Sequence, residues 1–379
     1  MIKHKKVELT ELFYDLVYVY TISQITSLIH HAHQGIITPS SFLNFSLELI
    51  IFVNSWMVQT VFTNRYGKNS LTNIFFMFGE MAILLAAATR ISSALFSNYF
   101  SGVILLMAGI SFLLLLQYIV AYKQVETSIE QSFIKRFFYI LGIRTSILLI
   151  AAFLPYRFGI ILAAIGVIGT WLLPGILVSS MKESVPINFP HLIERLSLLT
   201  IITFGEMIIG IAPFFGEKQL SIWSFVIFSI VVSLFMVYIV EIDHLIDTNY
   251  IEDTWVQAIY YHYFIFFGLS FITVSLSFLG KTEVSLWFTT LLLYLGIGLF
   301  LMGTFFLNRY NKRTHLLNKQ ILSQMWFTYF IGFLGSILID AHNSYIVMVI
   351  TFFVTGVIAV RIVTHNIQSN QRRNQTTSN

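Results

Sequence analysis

Along this chain, apolar runs of about 20 residues alternate with short polar breaks, roughly twelve times over. The runs cover 9–30, 41–63, 72–94, 100–121, 133–154, 158–180, 191–213, 221–243, 255–279, 284–307, 321–339 and 343–364. At about 1.5 Å per residue, each is long enough to cross a hydrocarbon layer of about 30 Å as a helix. Connections such as 34–40, 182–190 and 216–221 are rich in Gly, Pro, Asn and Ser. Pro155, Pro186, Pro190 and Pro213 fall at or beside run ends, whereas Pro174 lies inside a run and predicts a kink. The pattern predicts an all-α membrane protein, a polytopic bundle of about twelve transmembrane helices.

Charge then orients the bundle. With a cytoplasmic amino terminus, alternating connections collect Lys3, Lys5, Lys6, Arg65, Lys68, Lys123, Lys135, Arg136, Lys182, Arg195, Arg309, Lys312, Arg313, Lys319, Arg361, Arg372 and Arg373 on the inner side. The outer side keeps only Arg90, Arg157, Lys218 and Lys281. That bias places both termini in the cytoplasm and supports an even number of spans. Connection 241–253 has acids but no Lys or Arg, and acids count little in this rule. The polar tail 366–379 reads as disordered.

Composition agrees. Of 379 residues, 56% are hydrophobic and 11% charged, which is too much apolar surface for one soluble core. The net charge of +4 sits in connections rather than in a basic domain, so the expected partner is the lipid bilayer and not nucleic acid. There is no cysteine, which excludes disulfides, thiolate metal sites and a cysteine nucleophile. Residues 1–6 are basic, but Glu11 and Asp15 interrupt the first apolar run, so no removable signal peptide is expected. A comparison of halves, 1–183 against 184–365, sets Glu11 beside Glu194, Gln24 beside Glu206 and Trp56 beside Tyr238, the pattern of two six-helix parallel repeats.

Ionisable groups inside apolar runs are the candidate chemistry, because a charge at mid-bilayer costs at least a few kcal/mol unless it faces protein or water. Counting depth from the inner end puts Glu11, Asp15, Glu80, Arg144 and His262 near the inner third, with Gln24, Glu48 and Glu206 higher. Arg144 is the one deep cation at the level of Glu80, and an ion pair with Glu80 or Asp15 is expected. Glu194 and Arg195 are expected to bracket the inner surface, closing or gating an inner mouth. Each has a plainer reading: Glu11 and Asp15 hydrated at a helix start, Glu206 in an interhelical hydrogen bond, His262 in an aromatic belt beside Tyr260 and Tyr261. His30, His31, His33 and His342 fall on the outer side, where loop histidines are ordinarily solvated, so no metal or cofactor is expected. The phosphate-loop, zincin, nucleophile-elbow and dinucleotide motifs do not occur. Pairs such as Gly166 with Thr170, Gly298 with Met302 and Ala82 with Ala86 mark close helix approach.

Two stretches carry a family resemblance. Glu194, Arg195, Leu198, Ile201, Gly205 and Glu206, with Ser197 in place of a glycine and Phe204 in place of a leucine, resemble the signature of the bacterial low temperature requirement A (LtrA) family. Glu11 through Val19, ELFYDLVYV, resembles that family's amino-terminal mark. Weaker echoes occur at Trp56 with Asn64 and Arg65, and at Tyr260, Tyr261 and His262. The resemblance implies a multi-pass protein of a bacterial cytoplasmic membrane, in a family named for growth in the cold and without an assigned molecular activity.

The leading functional expectation is a transporter or channel-like protein for a small solute, proton or cation. Asp15 and Glu206 would lie on the pathway, with Glu11, Gln24, Glu48 and His262 beside it, since an acid-rich interior favours cations over anions. The alternatives are a non-catalytic membrane factor needed in the cold and, less favoured, a membrane-embedded enzyme acting on lipid. For the enzyme, Glu206 and His262 differ by roughly 12 Å in depth, which leaves Asp15 with His262 as its acid–base pair.

Overall fold

The computed structural model describes residues 5–68, 70–91, 96–177, 187–217, 220–249, 255–338 and 343–377, apart from the side chains at 96–98, 174–177, 373, 374, 376 and 377. Pro186, His342, Lys3, Lys182 and Lys218 fall outside what is described, and Pro174 and Arg373 are described by their backbone alone, within α6 and α12. Among the described residues there are twelve long α-helices and no strand, only two isolated bridges. The helices are α1 (Leu9–Ser27), α2 (Pro39–Tyr66), α3 (Leu71–Ile91), α4 (Phe96–Tyr122), α5 (Ser128–Ala152), α6 (Tyr156–Leu177), α7 (Phe189–Ile211), α8 (Ile222–Ile239), α9 (Trp255–Phe278), α10 (Leu286–Phe306), α11 (Lys319–Leu338) and α12 (Ser344–Thr377). The chain is a polytopic helical bundle, with ten helices apolar and long enough to cross a membrane. The two outside that set are α1, which carries Glu11 and Asp15, and α5, which carries Glu130, Lys135, Arg136 and Arg144.

Local chemistry explains several ends. At the start of α5, Thr127 Oγ1 accepts from the Glu130 amide, which caps one orphan donor of the first turn, and donates to the Glu130 carboxylate. Ser221 and Ser224 form a full capping box at α8. Beyond Ile239 the helix widens into a π-turn over Val240–Leu245. Gln34 and Gly35 both have positive φ in the tight turn closed by His33 and Ile36, a conformation glycine adopts without strain.

The helices form two compact units. The first holds residues 1–31, 39–199 and 251–259; the second holds 32–38, 200–250 and 260–379. The division falls inside α7, between Leu199 and Thr200, and not between residues 183 and 184 as the halves of the sequence suggest. In the first unit α2 is the axis, 83% buried along its span, with α1, α4 and α6 packed against it. In the second unit α9 is the most enclosed, 78% buried. Glycines where it meets α10 explain the close packing: a Cβ on Gly268 of α9 would stand 2.6 Å from Phe300 N, and one on Gly303 of α10 would stand 2.6 Å from Tyr261 O.

The final helix differs from expectation. α12 continues to Thr377, so 366–377 is helical where its polarity suggests disorder. Asn370 Oδ1 lies 3.0 Å from His315 Nε2, and His365 Nε2 lies 3.1 Å from the His315 carbonyl. These contacts give a polar segment a tertiary anchor.

Candidate functional site

The densest buried polar cluster lies in the first unit, where the start of α1 meets the start of α7 and the middle of α2. Glu11 and Asp15 are one turn apart on α1, and His191 and Arg195 are one turn apart on α7. Both pairs also sit equally far into their helices. Glu11 and His191 are each two residues past the first, Asp15 and Arg195 each six, or about 9 Å in. Spacing and depth together bring carboxylates on one helix level with basic groups on the other.

The contacts match that register. Arg195 Nη1 donates to Glu11 Oε2 at 2.9 Å, and Nη2 donates to Asp15 Oδ1 at 2.6 Å. His191 Nε2 lies 3.0 Å from the same Glu11 oxygen. Trp56 Nε1 on α2 donates to Asp15 Oδ1 at 2.7 Å, and its ring lies 5.3 Å from the Arg195 guanidinium carbon, within cation–π range. Asp15, His191 and Arg195 are fully buried and Glu11 is nearly so. Charge-assisted bonds of this length are the strong kind, and burial magnifies the penalty of leaving any partner alone.

The surrounding amides fix the histidine. Asn64 Oδ1 accepts from the Asn188 backbone N–H at 2.9 Å, so its Nδ2 faces the other way, donating to the Asn188 carbonyl and toward His191 Nδ1 at 3.1 Å. His191 Nδ1 is therefore the acceptor, and Nε2 carries the proton that bonds Glu11. With His191 neutral, two carboxylates face one guanidinium. Lys5 Nζ stands near Glu11 but donates to the Thr63 and Gly67 carbonyls at the end of α2. Burial pulls the Lys5 ammonium below the usual lysine range, against the opposing pull of Glu11. Asp15 Oδ2 is buried and accepts no hydrogen bond.

Two further polar sets lie in this unit. Tyr14 donates to Glu80 Oε2 at 2.7 Å, with the Tyr18 hydroxyl 3.4 Å from that of Tyr14. Arg144 donates to Asn54 Oδ1 at 2.6 Å, to Ser55 Oγ at 2.7 Å and to the Ile51 carbonyl at 3.2 Å, all on α2. The expected Glu80–Arg144 ion pair is corrected accordingly: each group is bound by a neutral partner. Asp15 likewise pairs with Arg195 and not with Arg144. Arg195 lies one and a half turns inside α7, buried, and is no surface bracket; its neighbour Glu194 is half-buried.

The remaining candidates stand apart from the cluster. Glu48 is buried on α2 beside a small apolar cavity lined by Ile51, Phe100 and Ile104, and its Oε2 accepts no hydrogen bond. Gln24 is half-buried, nine residues and about 13 Å along α1 from Asp15. Glu206 and His262 belong to the second unit. Glu206 is 7% exposed, whereas Ile208, about 200° round the same helix, is exposed, so the carboxylate faces protein. His262 is fully buried, with its Nε2 3.1 Å from the Tyr238 hydroxyl.

Sequence reading gives no role to His191, Asn188 or Tyr14, and names Trp56 and Asn64 only in weak family echoes and, for Trp56, in the comparison of halves. The available signal is the matched register of two polar pairs on helices that start from one side. No group of three or more acidic or histidine side chains arranged for a metal occurs among the described residues.

Comparison with curated proteins finds no match. The family model of the bacterial low temperature requirement A protein matches residues 6–367, a range that contains Glu11, Asp15, His191 and Arg195. With nearly its whole length matched, the chain belongs to the bacterial low temperature requirement A (LtrA) family.

Proposed function

We propose that this membrane protein is a transporter or channel-like protein for a small solute, proton or cation, with the Glu11–Asp15–Arg195–His191 cluster on its pathway. One observation carries the reading: two buried carboxylates share a single guanidinium, and Asp15 Oδ2 is left without a hydrogen bond. A proton or small cation reaching Asp15 would compete with Arg195 and loosen the join between α1 and α7. That competition provides a two-state element, which alternating access requires. In proteoliposomes, flux of at least one member of a panel of protons, alkali cations and small solutes should exceed that of empty liposomes. Asp15→Asn should lower it roughly tenfold, the loss of one charge-assisted bond. Absence of flux for every member of the panel overturns the reading.

A second reading has its own support. Glu11, His191, Trp56 and Arg195 all bond within the cluster, as a static lock would, which favours a non-catalytic membrane factor. In that case a folded Asp15→Asn protein retains cold growth in a complementation assay. The enzyme reading gains nothing, since Asp15 is held by Arg195 and Trp56, and His262 by Tyr238.

A further inference from the structure

Where α2 and α4 end and α3 and α5 begin, the first unit contains a polar cavity of about 540 Å³. Its lining includes Arg65, Gln117 and Tyr66, none of which the candidate site uses. Nε, Nη1 and Nη2 of Arg65, both amide atoms of Gln117 and the Tyr66 hydroxyl are all buried without a hydrogen-bond partner. The guanidinium lies against aromatic faces, 3.9 Å from the Phe133 ring centre and 5.3 Å from that of Trp255, with the Tyr66 hydroxyl and the Glu130 carboxylate nearby. Buried polar groups are nearly always bonded, and an arginine whose five N–H donors have at most the neighbouring Tyr66 hydroxyl calls for an acceptor-rich ligand. Gln117 is 1% exposed, so bulk water does not satisfy its amide.

Charge around the cavity has both signs. Arg65 and Lys68 line it on the α2 side, and Glu126 and Glu130 on the α5 side. Those four formal charges cancel, which disfavours a polyanion and suits a zwitterion whose oxyanion meets the guanidinium and whose ammonium meets the carboxylates. The first turn of α3, with Ser70 and Thr72 at the rim, adds backbone N–H groups that favour the oxyanion end. Thr72 also lines a second, apolar groove of about 500 Å³ with Leu71, Phe75, Phe76 and Leu113. Leu71 and Phe75 are among the most exposed apolar side chains.

From this juxtaposition we infer that the cavity binds the headgroup of a zwitterionic phospholipid of the phosphoethanolamine type. Its phosphate lies toward Arg65 and Gln117, its ammonium toward Glu126 and Glu130, and one acyl chain along the α3–α4 groove. The occupant is a lipid and not a free solute because the polar cavity and the apolar groove share a wall at Thr72.

The test titrates full-length purified protein in detergent micelles with dioleoyl-phosphatidylethanolamine, dioleoyl-phosphatidylglycerol, dioleoylglycerol and soluble phosphoethanolamine, reading thermal unfolding and retained lipid by native mass spectrometry. Phosphatidylethanolamine should stabilise the protein at concentrations roughly tenfold below the other three. Arg65→Gln and, separately, Gln117→Leu should abolish that preference while leaving the lipid-free unfolding temperature close to wild type. Equal stabilisation by all three lipids, in wild type and variants alike, indicates an annular effect and overturns the proposal. Phosphoethanolamine binding as tightly as the lipid overturns the lipid assignment in favour of a solute site. Should Arg65→Gln fail to fold, the ranking of lipids on the wild type and the Gln117→Leu result decide the matter.

Discussion

Arg195 holds two carboxylates from another helix, so its loss differs from that of a surface ion pair. Arg195→Met would leave Glu11 and Asp15 buried without their cation, a defect worth roughly 3–5 kcal/mol, while Arg195→Lys keeps the charge and loses the fork that reaches both. Thermal unfolding in detergent should rank wild type above Arg195→Lys above Arg195→Met; a melting temperature for Arg195→Met equal to wild type contradicts the described pairing. The histidine gives an independent check. Nitrogen-15 spectra of histidine-labelled protein should show His191 as the neutral form protonated at Nε2, and Asn64→Leu, which removes the amide facing Nδ1, should release that preference. A charged imidazolium in the wild type would reverse the assignment. At this scale the sequence shows which residues are anomalous but not their partners. Asp15 and Glu80 stand out because hydrocarbon length makes carboxylates expensive, whereas the choice between Arg144 and Arg195 depends on which helices adjoin, and periodicity within a helix is silent on that.

Helix existence is legible from apolar run length, and the twelve runs correspond to twelve helices with ends shifted by a few residues, save the end of α12 at Thr377, well past the last run. What run length does not convey is enclosure. α2 and α9 are among the least apolar of the ten candidate spans and form the axes of their units, because small and polar side chains let other helices approach from several sides. Glycines turn this into a test. A Cβ at Gly268 would meet Phe300 N at 2.6 Å and Gly296 O at 2.7 Å, backbone atoms that yield only if helices move apart, so Gly268→Ala should destabilise by about 1–3 kcal/mol. At Gly205, one of the signature positions, nothing lies within 4 Å of the same atom, and Gly205→Ala should be neutral or stabilising by up to about 1 kcal/mol from helix propensity. Unfolding of the two variants under one condition compares them, and a reversed order contradicts the packing. The end of α12 shows the opposite failure of composition: residues 366–377 are polar enough to read as disordered, but His315 supplies Asn370 and His365 with partners from outside the segment.

For the whole molecule, the number of helices that cross the bilayer turns on α1 and α5, the two outside the ten that are apolar and long enough to do so. Burial offers a physical reason to count them in: Glu11, Asp15 and Arg144 are buried and each is bonded by protein groups, so their charges do not meet lipid and the crossing is tolerated. The chain has no cysteine, and single-cysteine labelling therefore has no background. Lys6, Lys123, Glu283 and Gln371 are exposed sites before α1, between α4 and α5, between α9 and α10, and near the end of α12. If all twelve helices cross, Lys6→Cys, Lys123→Cys and Gln371→Cys are labelled from the cytoplasmic side by a membrane-impermeant maleimide, and Glu283→Cys from the other. Were α1 to lie along the surface, residues 6 and 123 would fall on opposite sides. Were α5 to do so, 123 would share a side with 283 and part from 371. α1 and α5 thus each have their own signature, and agreement of 6, 123 and 371 against 283 requires both to cross.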